Sequence, residues 1–203
     1  CRNQPGCYGA LGNSILSNSI LLNDGLGIDL GDDGPTRNDP FDADIGPNDL
    51  ANSPLLIDAS STGRRTEIRG TIHTKPDTTL WLEFFSNRMA DSSGYGEGES
   101  LVGSTKVTTD SSGAGDFRVS LRTGVPAGQS ITATATDPNG NTSEFSAAIQ
   151  VTQSSGPSSA GAVRVRLIGG RLVIQGSTAD DNVSIEAAGP NAFRLSPGAG
   201  TLA

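Results

Sequence analysis

Between Ser53 and Thr152 apolar residues return at every second position, in runs too short for helices. Ile68/Gly70/Ile72, Leu80/Leu82/Phe84, Phe117/Val119/Leu121 and Ile131/Ala133/Ala135 are the clearest of these alternations. A strand turns successive side chains to opposite faces, so a period of two belongs to half-buried strands, not to a helix of 3.6 residues per turn. Turn signals separate the runs: Lys75-Pro76-Asp77, Asp110-Ser111-Ser112-Gly113, Pro126-Ala127-Gly128 and Asp137-Pro138-Asn139-Gly140-Asn141. The pattern predicts strands near 54–59, 66–74, 80–86, 101–109, 115–122, 129–136 and 143–151, with Thr and Ser on their outer faces. Hydrophobic residues are 34% of the chain and aromatics 4%. The enclosed core is therefore thin and aliphatic, which suits two facing sheets better than an enzyme with a deep cavity.

Seven short strands with a single Trp predict an immunoglobulin-like antiparallel β-sandwich over residues 54–152, within an all-β chain. Ahead of it, residues 12–30 carry an internal repeat: Asn13, Asn18 and Asn23 recur every five residues, and Ile15 and Ile20 keep the same step. Helices do not repeat at five, whereas short strands joined by Asn-bearing turns do, so residues 1–30 read as the terminal coils of a parallel β-helix. A solenoid cannot stand on so few coils, and Cys1 is no natural start, so the chain is expected to be cut from a longer one. Residues 153–162 read as a flexible linker and 163–203 as a truncated β unit, with Val163/Val165/Leu167, a Gly169-Gly170 turn, Leu172/Ile174 and Val183/Ile185.

Residues 31–53 lack apolar periodicity and read as a long Asp-rich loop. Asp24 through Asp58 include nine Asp and one base, Arg37, so this stretch carries the whole net charge of −8. Asp29, Asp32 and Asp33 precede Gly34, and Asp42 and Asp44 precede Gly46. Calcium takes six to eight oxygens, and short carboxylates beside turn-forming glycines suit it. Asp29, Asp32, Asp33, Asp39, Asp42 and Asp44 are thus the candidate metal ligands and Ca²⁺ the candidate cofactor. The competing reading is a solvated loop whose Asp side chains cap turns. Neither half of the charge distribution offers the basic face that nucleic acid needs. No apolar run is long enough to insert in a membrane.

The segments Gly27 to Gly34, Leu82-Glu83-Phe84-Phe85-Ser86-Asn87, Gly94-Tyr95-Gly96-Glu97-Gly98 and Ile131 to Ser146 together resemble large exported bacterial β-helix proteins that carry a C-terminal Asp-rich loop and an immunoglobulin-like module. The tail around Leu172–Gly176 and Ala179–Val183 is similar to the first half of a calcium-binding β-roll repeat. The resemblance implies an extracellular or cell-surface setting. It also implies that Ala90 and Ala148, which replace a Cys pair of that pattern, lie side by side.

Bland readings prevail elsewhere. His73, the only histidine, is out of phase with Ile68 and Ile72 and should face solvent. Trp81 reads as outer-face packing, Gly94–Gly98 as a structured loop without a phosphate cradle, and Asp137/Asn141 as a tight turn. Cys1 and Cys7 read as incidental small hydrophobes. The chain is expected to be non-catalytic: a structural or adhesive module stabilised by calcium, whose partners are neighbouring domains of the same chain or a surface polysaccharide or protein. The alternative is the accessory C-terminal part of a polysaccharide lyase or hydrolase with its active site upstream.

Overall fold

The computed structural model describes residues 9–154 and, beyond them, the backbone of strands between 164 and 197. The chain divides into two compact units, residues 1–154 and 155–203. In the first, strands β1 (Leu55–Ser61), β2 (Thr66–His73), β3 (Thr79–Asn87), β4 (Ser100–Thr108), β5 (Ala114–Leu121) and β6 (Ser130–Thr136) lie within two residues of the positions that alternation predicts. They build two four-stranded sheets, ordered β5-β2-β1-β8 and β4-β3-β6-β7, where β7 is Ile149–Gln150 and β8 is Thr152–Gln153. The in-pointing sets of both sheets form one core. Ile68, Ile72, Leu82, Phe84 and Ile131 are fully enclosed in it, and Phe84 meets Phe117 of the opposite sheet at 5.7 Å between ring centres.

The expected seventh strand is broken into pieces, and the reason is local. Ala135 N–H donates to Ser143 Oγ and Ala133 N–H to Ser146 Oγ, while Ser143 and Ser146 return their own N–H groups to Ala135 O and Ala133 O. Between Ala135/Ser143, Ala133/Ser146 and Ile131/Ile149, β6 advances two residues each time while the facing segment advances three. Each extra residue is a bulge, which bends the strand and re-aims its side chains. The serine hydroxyls satisfy the N–H groups that a regular ladder would have paired. At buried Val151 the chain then crosses to the other sheet, where β8 pairs in parallel with Ser60 and Ser61 of β1.

Two expectations for the flanks differ from the structure. Residues 9–30 form no ladder of short strands; their one bridge joins Ile20 to Gly98, with N···O distances of 2.9 Å both ways. They run as an arm across the outer face of β3 and β6. That face was expected to be solvated, yet Thr132, Thr134 and Thr136 are buried beneath the arm and the segment from Asp91 to Glu99. A small second core closes this layer, in which Phe85 and Phe145 meet edge to face at 5.4 Å and Ile28, Ile15, Ile20 and Leu30 pack against them. The 91–99 segment is tied to the last strand region by the Tyr95–Ala147 bridge and by Ala148 N–H donating to Gly94 O.

In the second unit, β9 (Arg164–Ile168) pairs antiparallel with β10 (Arg171–Gln175), and β11 (Val183–Gly189) with β12 (Ala192–Pro197). Cys1, Cys7 and most of the 153–162 segment lie outside the described residues.

Candidate functional site: a carboxylate-lined dock for the arm

An arm that joins no sheet must satisfy its backbone N–H groups elsewhere, because a buried unpaired amide costs about 1–3 kcal/mol. Here carboxylates and amides of the sheet unit serve as acceptors. Glu83, only 2% exposed on the outer face of β3, accepts Ser17 N–H at 2.8 Å and Ser17 Oγ–H at 3.0 Å. Glu144, 4% exposed, accepts Leu30 N–H (2.9 Å), Thr36 N–H (2.7 Å) and Thr36 Oγ–H (3.0 Å). Glu97 accepts Leu22 N–H at 2.8 Å and, from Asn23, both N–H and Nδ2–H. Ser17 and Leu22 have φ of 55° and 60°, left-handed values that non-glycine residues seldom take. At Leu22–Asn23 two consecutive N–H groups meet one carboxylate, the nest geometry in which backbone dipoles hold an anion.

Amide side chains complete the dock. Asn141 Oδ1 accepts Gly12 N–H at 2.7 Å, while Asp137 Oδ2 accepts the Asn141 amide at 3.0 Å and so orients it. Thr142 Oγ accepts Ile15 N–H. Asn48 Oδ1 accepts Asn13 N–H at 3.0 Å, and its Nδ2 donates to Asn13 O and Thr142 O. Asn48 heads three consecutive left-handed residues, Asn48, Asp49 and Leu50, with φ of 47°, 54° and 50°. Strain of that kind persists only where surroundings impose it, here the enclosure of Asn48 and Leu50.

The six predicted metal ligands are distributed over this loop in separate roles. Asp29 caps a turn, accepting N–H groups from Gly31, Asp33 and Gly34 at 3.1–3.2 Å. Asp39 accepts Ala43 N–H, and Asp42 is buried, accepting Asn52 N–H at 2.7 Å and Thr74 Oγ–H at 3.1 Å. Asn52 Nδ2 donates to Asp39 O and His73 O, which staples the loop to the end of β2. Asp32 and Asp33 face solvent and Asp44 is half-buried. Among the described residues no three His, Cys, Asp or Glu side chains converge as a metal site. His73 is exposed, with the ring of Phe41 at 5.5 Å.

Burial pushes the Asp42 carboxyl above its ordinary value of 3.8, and the hydrogen bonds from Asn52 and Thr74 offset part of that. A carboxyl whose folded pKa is raised holds its proton better in the native state. Its contribution to stability therefore falls as pH rises from the unfolded value through the folded one. Asp91, Glu99 and Asp110 are shifted down, chiefly by hydrogen bonds they accept, and act in the opposite sense. Subtracting an Asp42→Asn variant isolates the first effect. Its stability relative to wild type should rise with pH above about 4, as read from urea midpoints across a pH series. A constant difference across the series would show that Asp42 is not the titrating group.

Sequence reasoning missed the dock. A signal was present in Leu82-Glu83-Phe84-Phe85, because an almost unbroken apolar run marks a strand covered on both faces, and a Glu inside it must then be buried and bonded. No such signal marks Glu97 or Glu144. No protein-family model matches the chain, and no curated protein matches it.

Proposed function

We propose that this chain is a non-catalytic structural module of a secreted or cell-surface multidomain protein, in which an immunoglobulin-like sandwich clamps the segment that leads into it. The observation that carries the reading is the use of the buried carboxylates. Glu83 and Glu144 bind backbone and hydroxyl donors of the arm and of the loop that follows it, and Asp42, within that loop, binds Asn52 N–H and, beyond β2, Thr74 Oγ–H, so these acids hold chain segments together. The immunoglobulin-like reading is supported by the strand order and by the seventh strand, which divides between the sheets as β7 and β8. The exported setting is supported by the motif resemblance. A clamped arm converts what would be a hinge into a stiff joint, a useful property where modules are strung together.

Calcium binding by the Asp-rich loop is part of the proposal, supported by its charge and by the exposure of Asp32 and Asp33. One hydrogen-exchange experiment, in calcium and in chelator, tests both parts. The amides of Ser17, Leu22, Leu30 and Thr36 should be protected in either condition, and the other amides of residues 29–48 should gain protection with calcium. Free exchange of the arm amides beside protected strands would refute the clamp. Identical loop protection in both conditions would remove calcium. Asp29→Ala should expose the Gly31, Asp33 and Gly34 amides and cost about 1–2 kcal/mol.

A further inference from the structure

The outer face of the β5-β2-β1-β8 sheet holds an open cavity of about 400 Å³, a volume in the range of ligand sites, lined by Ile57, Arg69, Thr71, Asp116 and Arg118. Strand register builds it. Arg69 and Arg118 are direct cross-strand partners, and Thr71 and Asp116 are partners in the next outward row. On β1, Leu56 pairs with Gly70 and Asp58 with Arg69, so Ile57 is an extra residue, 57% exposed. A bulge re-aims a side chain, and this one stands Ile57 at the groove.

Two arginines face to face on adjacent strands repel, an arrangement that sheets avoid. Nearby acids only partly offset it. Arg118 gives one Nη–H to Glu67 at 2.8 Å, while Arg69 lies 3.7 Å from Asp58, too far for a hydrogen bond. The Arg118 and Arg69 side chains are 70% and 52% exposed, and ion pairs so exposed contribute little. One step past Thr66–Leu121, the last β2–β5 pair, Arg65 and Arg122 are exposed as well. Among the described residues neither meets a carboxylate. Bases scattered along the sequence are thus gathered on one face.

Charge therefore selects an anion for the groove, because a guanidinium fork matches a carboxylate with two parallel hydrogen bonds. The rest of the surface selects its kind. Asp58, Glu67 and Asp116 interrupt the positive stripe, which opposes a continuous phosphate backbone, and these strands turn no Phe, Tyr or Trp outward on which bases would stack. A sugar acid supplies both halves of what the groove offers: a carboxylate for the arginines, and ring hydroxyls for Thr71 and Asp116. The two rows are separated by roughly 7 Å of strand, about the length of one sugar ring, with Ile57 placed against its C–H face. We propose that this groove binds an acidic polysaccharide, with a sugar carboxylate held by Arg69 and Arg118 and ring hydroxyls held by Thr71 and Asp116. The site lies on the sheet opposite the arm's dock and does not depend on the clamp.

Calorimetric titration of the whole chain with tetrasaccharides of galacturonate, mannuronate and sialate tests it, in chelator so that calcium cannot bridge two acids. Saturable binding of at least one is expected. The same sugar with its carboxylates methyl-esterified should bind at least about tenfold more weakly, the effect of losing one charge-assisted contact. Arg69→Gln and Arg118→Gln should each weaken binding to a similar degree, and Lys106→Gln, on the opposite sheet, should leave it within about twofold. Asp116→Ala discriminates most sharply. Plain attraction to a polyanion would strengthen when that negative charge is removed, whereas loss of a hydroxyl acceptor weakens binding. All four side chains are exposed, so the variants should fold. Saturable binding of none of the three sugars overturns the proposal. So do arginine variants that bind unchanged or no better separated from Lys106→Gln, tighter binding by Asp116→Ala, or equal affinity for tetraglutamate, an acidic peptide without sugar hydroxyls.

Discussion

Glu144→Ala is expected to destabilise the first unit by roughly 3 kcal/mol, a drop in Tm of about 6–12 °C for a unit of this size. The substitution removes one side chain but orphans three donors: Leu30 N–H, Thr36 N–H and Thr36 Oγ–H. Each is partly buried, and the arm can rewet them only by lifting off the Phe85–Phe145 cluster, which adds apolar exposure to the loss. Glu144→Gln separates the two contributions. Its one carbonyl oxygen still accepts Leu30 N–H and Thr36 Oγ–H, but its amide nitrogen then faces Thr36 N–H, so about half the loss should remain. Thermal melts of the three proteins settle the matter. Equal Tm values for wild type and Ala would mean that the arm contributes nothing to the unit's stability and that the clamp is not a clamp.

Gly96→Ala should cost a similar amount for the opposite reason, too much matter instead of too little. A Cβ at Gly96 would fall on the Cγ2 methyl of Thr132, and Thr132 cannot retreat. Its Oγ donates to Glu97 O at 2.6 Å and accepts from Asn87 Nδ2 at 3.1 Å, and its neighbours on β6 are buried on both faces. Overpacking of this kind costs about 1–3 kcal/mol or more. Gly96→Ala should sit at the upper end, because the clash is with a side chain pinned by two hydrogen bonds. Thr132→Ser removes the methyl and keeps both bonds, so the double variant should recover roughly half of the loss. Denaturant midpoints of the single and double variants measure that coupling. Additive losses would show that the 94–98 segment moves aside freely and is not wedged against β6.

Both substitutions act on the layer laid over β3 and β6, and that layer divides what was legible from what was not. Period-two alternation placed β1 to β6 because side-chain direction in a strand is a local property, fixed by the backbone of the strand itself. The same local logic read Lys75–Asp77, Asp110–Gly113 and Asp137–Asn141 as turns, and Asp110 and Asp137 do cap theirs by accepting N–H groups from residues two and four positions on. Asp29 caps its turn in the same way, so that turn-capping role was open to sequence reasoning too. The breaks in the last strand were not, because a bulge at Ser143 or Ser146 depends on which hydroxyl faces which N–H across the sheet. Nor was the five-residue repeat enough to say where the arm goes. Asn13, Asn18 and Asn23 would suit a solenoid, where each coil pairs with the next, but here Glu83, Glu97 and Glu144 offer stronger acceptors than a neighbouring coil would. Those acceptors lie 66, 74 and 114 residues away from the N–H groups they bind at Ser17, Asn23 and Leu30. The sequence alone therefore determined the strands, the turns and the thin aliphatic core, all set by neighbours along the chain. Tertiary structure alone decided which face is covered and which carboxylates are buried, because a charge leaves water only when folding brings it donors from a distant segment.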